Sequence, residues 1–149
     1  MLEVEAMKKM KKNALVALSV FWSVVLCQAV VADQAAEKAA VDAANQWVAL
    51  VDEGKYPQSW DNAAGYFKGA VKKYQWEASL SAARKPLGRV LSRKEKAREY
   101  TTTLPGAPDG HYVVIQYETS FERKSSAIET ITPMREKDGK WRVAGYYIR

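Results

Sequence analysis

The stretch NQWVALVDEGKYPQSWDNAA, Asn45–Ala64, decides how the chain reads. Trp47, Val48 and Val51 extend an apolar stripe begun by Ala40 and Ala44, at the three- and four-residue spacing that sets all five side chains on one helix face. Gly54 stands where a left-handed C-cap belongs, Pro57 suits the first turn of a following helix, and Trp60 returns a second indole toward the first. The spacing therefore predicts helix, glycine turn and helix, with an aromatic face that must be covered. Asp52 and Glu53 fall at the C-terminal end of the first helix, where the helix dipole disfavours negative charge. Either an acid is aimed into a cleft there, or two solvated acids sit beside Lys55.

Downstream, residues 58–68 read as a second helix with Trp60, Ala63, Ala64 and Phe67 on one side. A third, over 71–84, spaces Trp76, Leu80 and Ala83 helically and is stopped by Pro86 and Gly88. Trp47, Trp60 and Trp76 are expected to line one core, since each lies on the apolar face of its helix; stacking on a sugar or other ligand is the alternative.

After Gly88 the period changes to two. Residues 89–103 form a basic, imperfectly alternating segment, and Pro105–Gly110 is a loop. Over 111–122, Val113, Ile115, Tyr117, Thr119 and Phe121 share one face. Over 126–135 the pattern repeats with Ile128, Thr130, Thr132 and Met134, and Lys137-Asp138-Gly139 marks a tight hairpin. The last strand, 140–149, sets Trp141, Val143 and Tyr147 opposite Arg142, Ala144, Tyr146 and Ile148. Pro133 cannot donate to a ladder, so its strand lies at an edge there or carries a bulge. Helices first and strands afterwards predict an α+β domain, its four-stranded antiparallel meander curled over the first helix.

Upstream, Lys8, Lys9, Lys11 and Lys12 precede an apolar run from Ala14 to Val31, and Val30-Val31-Ala32 offers a signal-peptidase site. Residues 1–32 read as a cleaved signal peptide, with Met7 a better initiator than Met1. The mature chain then begins at Asp33, runs as one domain to Arg149, and works in the periplasm or outside the cell. The run also approaches the length of a membrane span, so an uncleaved anchor is the rival reading. Lipidation of Cys27 is disfavoured because Leu26 stands where a small residue is wanted.

The chain has 149 residues, 48% hydrophobic, enough for one real core. Cys27, its one cysteine, leaves with the signal segment, so disulfides, thiol chemistry and cysteine metal sites are not expected in the mature form. His111 is the single histidine, which argues against a histidine metal centre, and no cofactor is expected. Residues 1–32 account for +2 of the formal +6 charge. The remainder is too small for a nucleic-acid footprint.

Four ordered motifs carry a family resemblance: Trp47-x-x-Leu50-Val51-Asp52-x-Gly54-x-Tyr56-x-x-Ser59-Trp60, Arg84-x-Pro86-Leu87-Gly88, Leu104–Gly110, and Gly139-x-Trp141-Arg142-Val143-Ala144-Gly145-Tyr146. Together they resemble a bacterial family of small exported proteins, domain of unknown function 4019. More loosely, the order of elements is similar to the cystatin-like superfamily that includes the nuclear-transport-factor-like cone domains. The family name brings no activity, and no catalytic residues are implied by it.

Three functional classes follow. A binding or accessory module would take a small apolar ligand or an envelope-protein segment in the mouth of the cone, with Trp60, Tyr117, Trp141 and Tyr146 as wall residues. A cone-fold enzyme would transfer protons with Asp52, Glu118 or Glu129 as base and Tyr117 or Tyr146 as donor. An interaction protein would meet an anionic envelope surface through Arg84, Lys85, Arg89, Arg93, Lys94, Lys96 and Arg98. The first is favoured.

Overall fold

Gly54 ends the first helix as its position requires. In the computed structural model, which describes residues 34–149, helix α1 covers 34–52 and Gly54 adopts φ 72°. The Gly54 N–H donates to the Val51 carbonyl and the Lys55 N–H to that of Leu50, the paired bonds of a Schellman cap. The expected signal peptide lies outside the described residues, and Glu37–Arg149 pack as one compact unit.

The second expected helix is two. α2 spans Tyr56–Asp61 and α3 Gly65–Ala70, broken at residues 62–64. The break has a tertiary cause: Ala64 is extended, and its N–H donates to the Val143 carbonyl at 2.8 Å, while the Gly65 N–H donates to Glu136 Oε1. A continuous helix would have turned Ala64 N–H onto its own chain and lost this tie to the last strand. Helix α4, Lys73–Arg84, starts two residues later than expected and passes into a 3-10 turn at Lys85–Leu87, closed by Gly88 at φ 75°.

Strands β1 (Val90–Thr101), β2 (His111–Phe121), β3 (Lys124–Arg135) and β4 (Trp141–Ile148) form one antiparallel sheet in the order β1-β2-β3-β4. The expected α+β meander is present. Val113, Ile115 and Tyr117 of β2, Ile131 of β3 and Val143 of β4 meet Ala40, Ala44, Trp47, Val48 and Val51 of α1, together with Phe67, Trp76 and Leu80. Trp47, Trp76 and Tyr146 approach with ring centroids 5.6 to 6.3 Å apart, and Phe67 closes edge-on against Trp76 at 4.9 Å. Such pairs add about 0.5–1.5 kcal/mol each beyond burial.

Two face assignments differ from the periodicity. On β3 the buried residues are Ala127, Glu129 and Ile131, then Thr132 and Pro133 at the bulge, so of the expected set Ile128, Thr130, Thr132 and Met134 only Thr132 is buried. Hydropathy misplaces the inner face because a carboxylate, Glu129, is fully buried by partners far along the chain. On β4, Val143 and Tyr146 both join the core, whereas Tyr147 is exposed. The register passes from Thr132↔Gly145 to Pro133↔Val143, so Ala144 is an extra residue that reverses the alternation. Pro133 thus marks a bulge rather than an edge.

Candidate functional site

Among the described residues Glu129 is the one buried acid, and four side chains surround it. Its Oε2 accepts from Arg93 Nε at 2.8 Å and Thr119 Oγ1 at 2.6 Å; its Oε1 accepts from the Tyr146 hydroxyl at 2.6 Å and lies 3.7 Å from Arg84 Nη1. The same Arg93 grips Asp52 with both Nη atoms, at 2.6 and 3.0 Å, and Arg84 Nη2 adds a third bond to Asp52 at 2.5 Å. Arg84, buried at the end of α4, lays its guanidinium 4.5 Å from the Phe121 ring centroid. Two carboxylates and two guanidiniums balance. Asp52, at the negative end of α1, stays partly exposed but is not free, since two cations offset its conflict with the dipole, while solvated Glu53 pairs with Lys55 at 2.6 Å.

The chemistry of this cluster is fixed by its partners. Burial alone would push the Glu129 carboxyl up, but the Arg93 bond and charge, with Thr119 and Tyr146, outweigh it and hold the group below the usual range. Burial and the Glu129 charge push the Tyr146 phenol far up. Glu129 thus stays ionised, with two bonds to Oε2 and one to Oε1, and the Tyr146 proton points at Glu129 rather than at open space. Tyr117 donates to Asn45 Oδ1 at 2.8 Å, and burial, then the Glu95 charge, raise it to about 12. Glu118 is exposed and pairs with Lys96 at 3.0 Å. The expected base and donor residues do not converge on a cavity. Among the described residues there is also no cluster of three metal-ligating side chains.

Asp52 does line a cleft of about 340 Å³, shared with Glu53, Arg84, Lys85 and Glu122, but none of the expected donors lies beside it there. A groove of about 510 Å³ runs between α1 and the start of β4, with Trp47, Leu50 and Val143 as its floor and Gln46, Asn62, Lys140 and Trp141 along its sides. Of the four aromatic residues expected to bind a ligand, Trp141 alone is there. Tyr117 and Tyr146 are core residues, and Trp60 packs beside the core with its indole N–H on the Val71 carbonyl and Lys68 and Lys73 about 5.9 and 5.8 Å from its ring. Gln46 and Lys140 were not singled out by the sequence, and Leu50 entered as a motif position with no site role; that motif and the Lys140-Trp141 step after the hairpin were the available signals.

The basic segment is not a patch of free charge. Arg84 is buried, Arg93 turns under α1, Arg89 pairs with Glu122 at 2.7 Å, Lys96 with Glu118, and Arg98 with Glu37 and Glu95 at 3.5 and 3.4 Å. Exposed Lys85 and Lys94 make no ion pair among the described residues.

Helices followed by an open four-stranded antiparallel sheet, with the first helix across its inner face, define an α+β cone domain of the nuclear-transport-factor-like class. The fold is similar to that of a candidate ketosteroid isomerase from Shewanella frigidimarina, with TM-score 0.50 and 17% identity, over 74% of this chain and 94% of that one. By sequence, residues 43–146 match the family described as Protein of unknown function (DUF4019), and the chain belongs to that family. No curated protein matches it.

Proposed function

We propose that this chain is an exported binding or accessory module, non-catalytic, that takes a small ligand or a partner segment in the groove between α1 and β4. One observation carries the reading: an open groove is lined by half-buried Leu50 and Trp141 with the core residues Trp47 and Val143 behind them, whereas the interior acid is enclosed by four side chains. Ligand sites are concave, partly apolar and of a few hundred cubic ångströms, as this one is. A proton-transfer role would need a carboxylate facing a cavity beside a donor, and Glu129 is fully buried and lines none of the clefts described. Export rests on the N-terminal sequence, and no described helix is long and apolar enough to cross a membrane.

The test is native mass spectrometry of the protein recovered from its own compartment, beside a Leu50→Trp variant that fills the groove. A bound small molecule lost in the variant supports the reading; no adduct, or one equally retained, overturns it. N-terminal sequencing of the same sample should begin at Asp33, and a chain retaining residues 1–32 would refute cleavage.

A further inference from the structure

The residues lining the groove supply donors and positive charge but no carboxylate. They include two cations, Lys140 and Arg142. Arg142 is already held, by Glu136 and by both oxygens of Asp138 at 3.0 and 2.8 Å. Lys140 is different: among the described residues its ammonium makes no hydrogen bond or ion pair. Its backbone is fixed, because the N–H donates to Asp138 Oδ1 at 3.0 Å and the carbonyl accepts from Glu136 N–H at 2.9 Å.

The neighbouring indole carries the second signal. Trp47, Trp60 and Trp76 donate their N–H groups to Ser59 O, Val71 O and Ser59 Oγ at 2.7, 2.8 and 2.9 Å. Trp141, half-buried against the core, donates to nothing among the described residues. With no protein acceptor among them, its N–H is left to meet solvent or a ligand, and the ring face and N–H together suit a ligand that is apolar at one end and polar at the other. Across the groove, the exposed Gln46 carboxamide also lacks a protein partner among the described residues.

Resting on the binding reading above, we infer that the groove selects a small amphiphile with a single carboxylate head: the head meets Lys140 Nζ and the Trp141 N–H, and an alkyl or ring body lies over Trp47, Leu50 and Val143. A neutral amphiphile gains the floor but forfeits the ammonium. A cationic one is opposed by Lys140. Charge-assisted hydrogen bonds exceed neutral ones, so the head should set selectivity and the floor should set the common part of the affinity.

The test uses three probes of equal chain length, decanoate, decanol and decyltrimethylammonium, titrated calorimetrically into the purified full-length protein. Decanoate is expected to bind about tenfold or more tighter than decanol, a ratio of the size that one charged hydrogen bond supplies. Lys140→Ala should remove most of that preference and leave decanol unchanged, and Lys140→Glu should favour decyltrimethylammonium. Because Lys140 is exposed, the variants should keep the wild-type urea midpoint. Equal binding of decanoate and decanol, or a preference untouched by both Lys140 variants, overturns the head-group assignment while the groove reading stands. Failure of all three probes overturns both.

Discussion

Arg93 Nε donates to Glu129 Oε2 across 2.8 Å while both Nη atoms hold Asp52, so one guanidinium from edge strand β1 ties the C-terminus of α1 to the interior of the sheet. Removing one partner of a buried ion pair costs about 3–5 kcal/mol because the other charge is left stranded. Arg93→Met is therefore expected to lower unfolding stability by about 3 kcal/mol or more. The double variant Arg93→Met, Glu129→Gln removes both charges, keeps an acceptor near Thr119 and Tyr146, and should recover at least half the loss in urea denaturation. A double variant no better than the single one would show that the stranded charge is not the cause.

Stability should fall at both ends of the pH scale. Glu129 is held below its ordinary range in the folded chain, so its contribution is present above the unfolded carboxylate pKa and is lost as pH falls through the folded value. Tyr117, raised to about 12, and Tyr146, raised further, act in the opposite sense. Their stabilisation is full below the unfolded phenol pKa, about 10, and declines as pH rises beyond it. Urea midpoints should thus be flat near neutrality, drop below about pH 4, and drop again above about pH 10. Tyr146→Phe should flatten the alkaline fall; an unchanged alkaline arm counts against the assignment.

Trp47 is 4% exposed and donates to the Ser59 carbonyl at 2.7 Å, joining α1 to α2. Trp47→Ala should cost about 3–5 kcal/mol, and Trp47→Phe, which strands the carbonyl but keeps much of the packing, about 1–3. Exposed Lys94→Ala should stay within about 0.5 kcal/mol. Thermal and urea unfolding of the three variants would check the order.

Two glycines with similar φ should respond differently to alanine. At Gly54, φ 72°, an added Cβ meets nothing within 4 Å, so Gly54→Ala carries only the left-handed backbone cost of about 1–2 kcal/mol. At Gly88, φ 75°, the same Cβ would lie 2.6 Å from Glu122 Oε2 and 3.0 Å from Glu122 Cβ. Gly88→Ala must also displace Glu122 from the Arg89 N–H, and should be the more destabilising of the two. Equal losses would show that Glu122 moves aside freely.

Because Arg89, Arg93, Lys96 and Arg98 are paired, the basic segment should bind anionic vesicles negligibly at physiological salt. Co-sedimentation that survives about 0.15 M salt and is abolished by Lys94→Glu would contradict this.

The α1 stripe was legible because burial along a helix follows its period: Ala40, Ala44, Trp47, Val48 and Val51 are all buried. The Gly54 cap and the Asp138-Gly139 hairpin were legible because a positive φ is a local requirement. The α2–α3 break was not, since its cause is a bond from Ala64 to Val143, far along the chain. The inner face of β3 was misread because Glu129 looks solvent-facing until Arg93, Thr119 and Tyr146 are in place around it. Of the site, Trp141 was legible as an aromatic; that it shares a groove with Gln46 and Lys140 was not.

The order of helices then strands, the turn at Gly54 and the antiparallel meander follow from the sequence by itself, because period, capping and turn chemistry act over a few residues. Tertiary structure alone decided which acids are locked away, which aromatic residue is left facing a groove, and that a single extra residue, Ala144, turns Tyr146 inward and Tyr147 out. Burial of a charge depends on partners tens of residues distant, and a one-residue slip in a strand exchanges its two faces, so neither is written in local pattern.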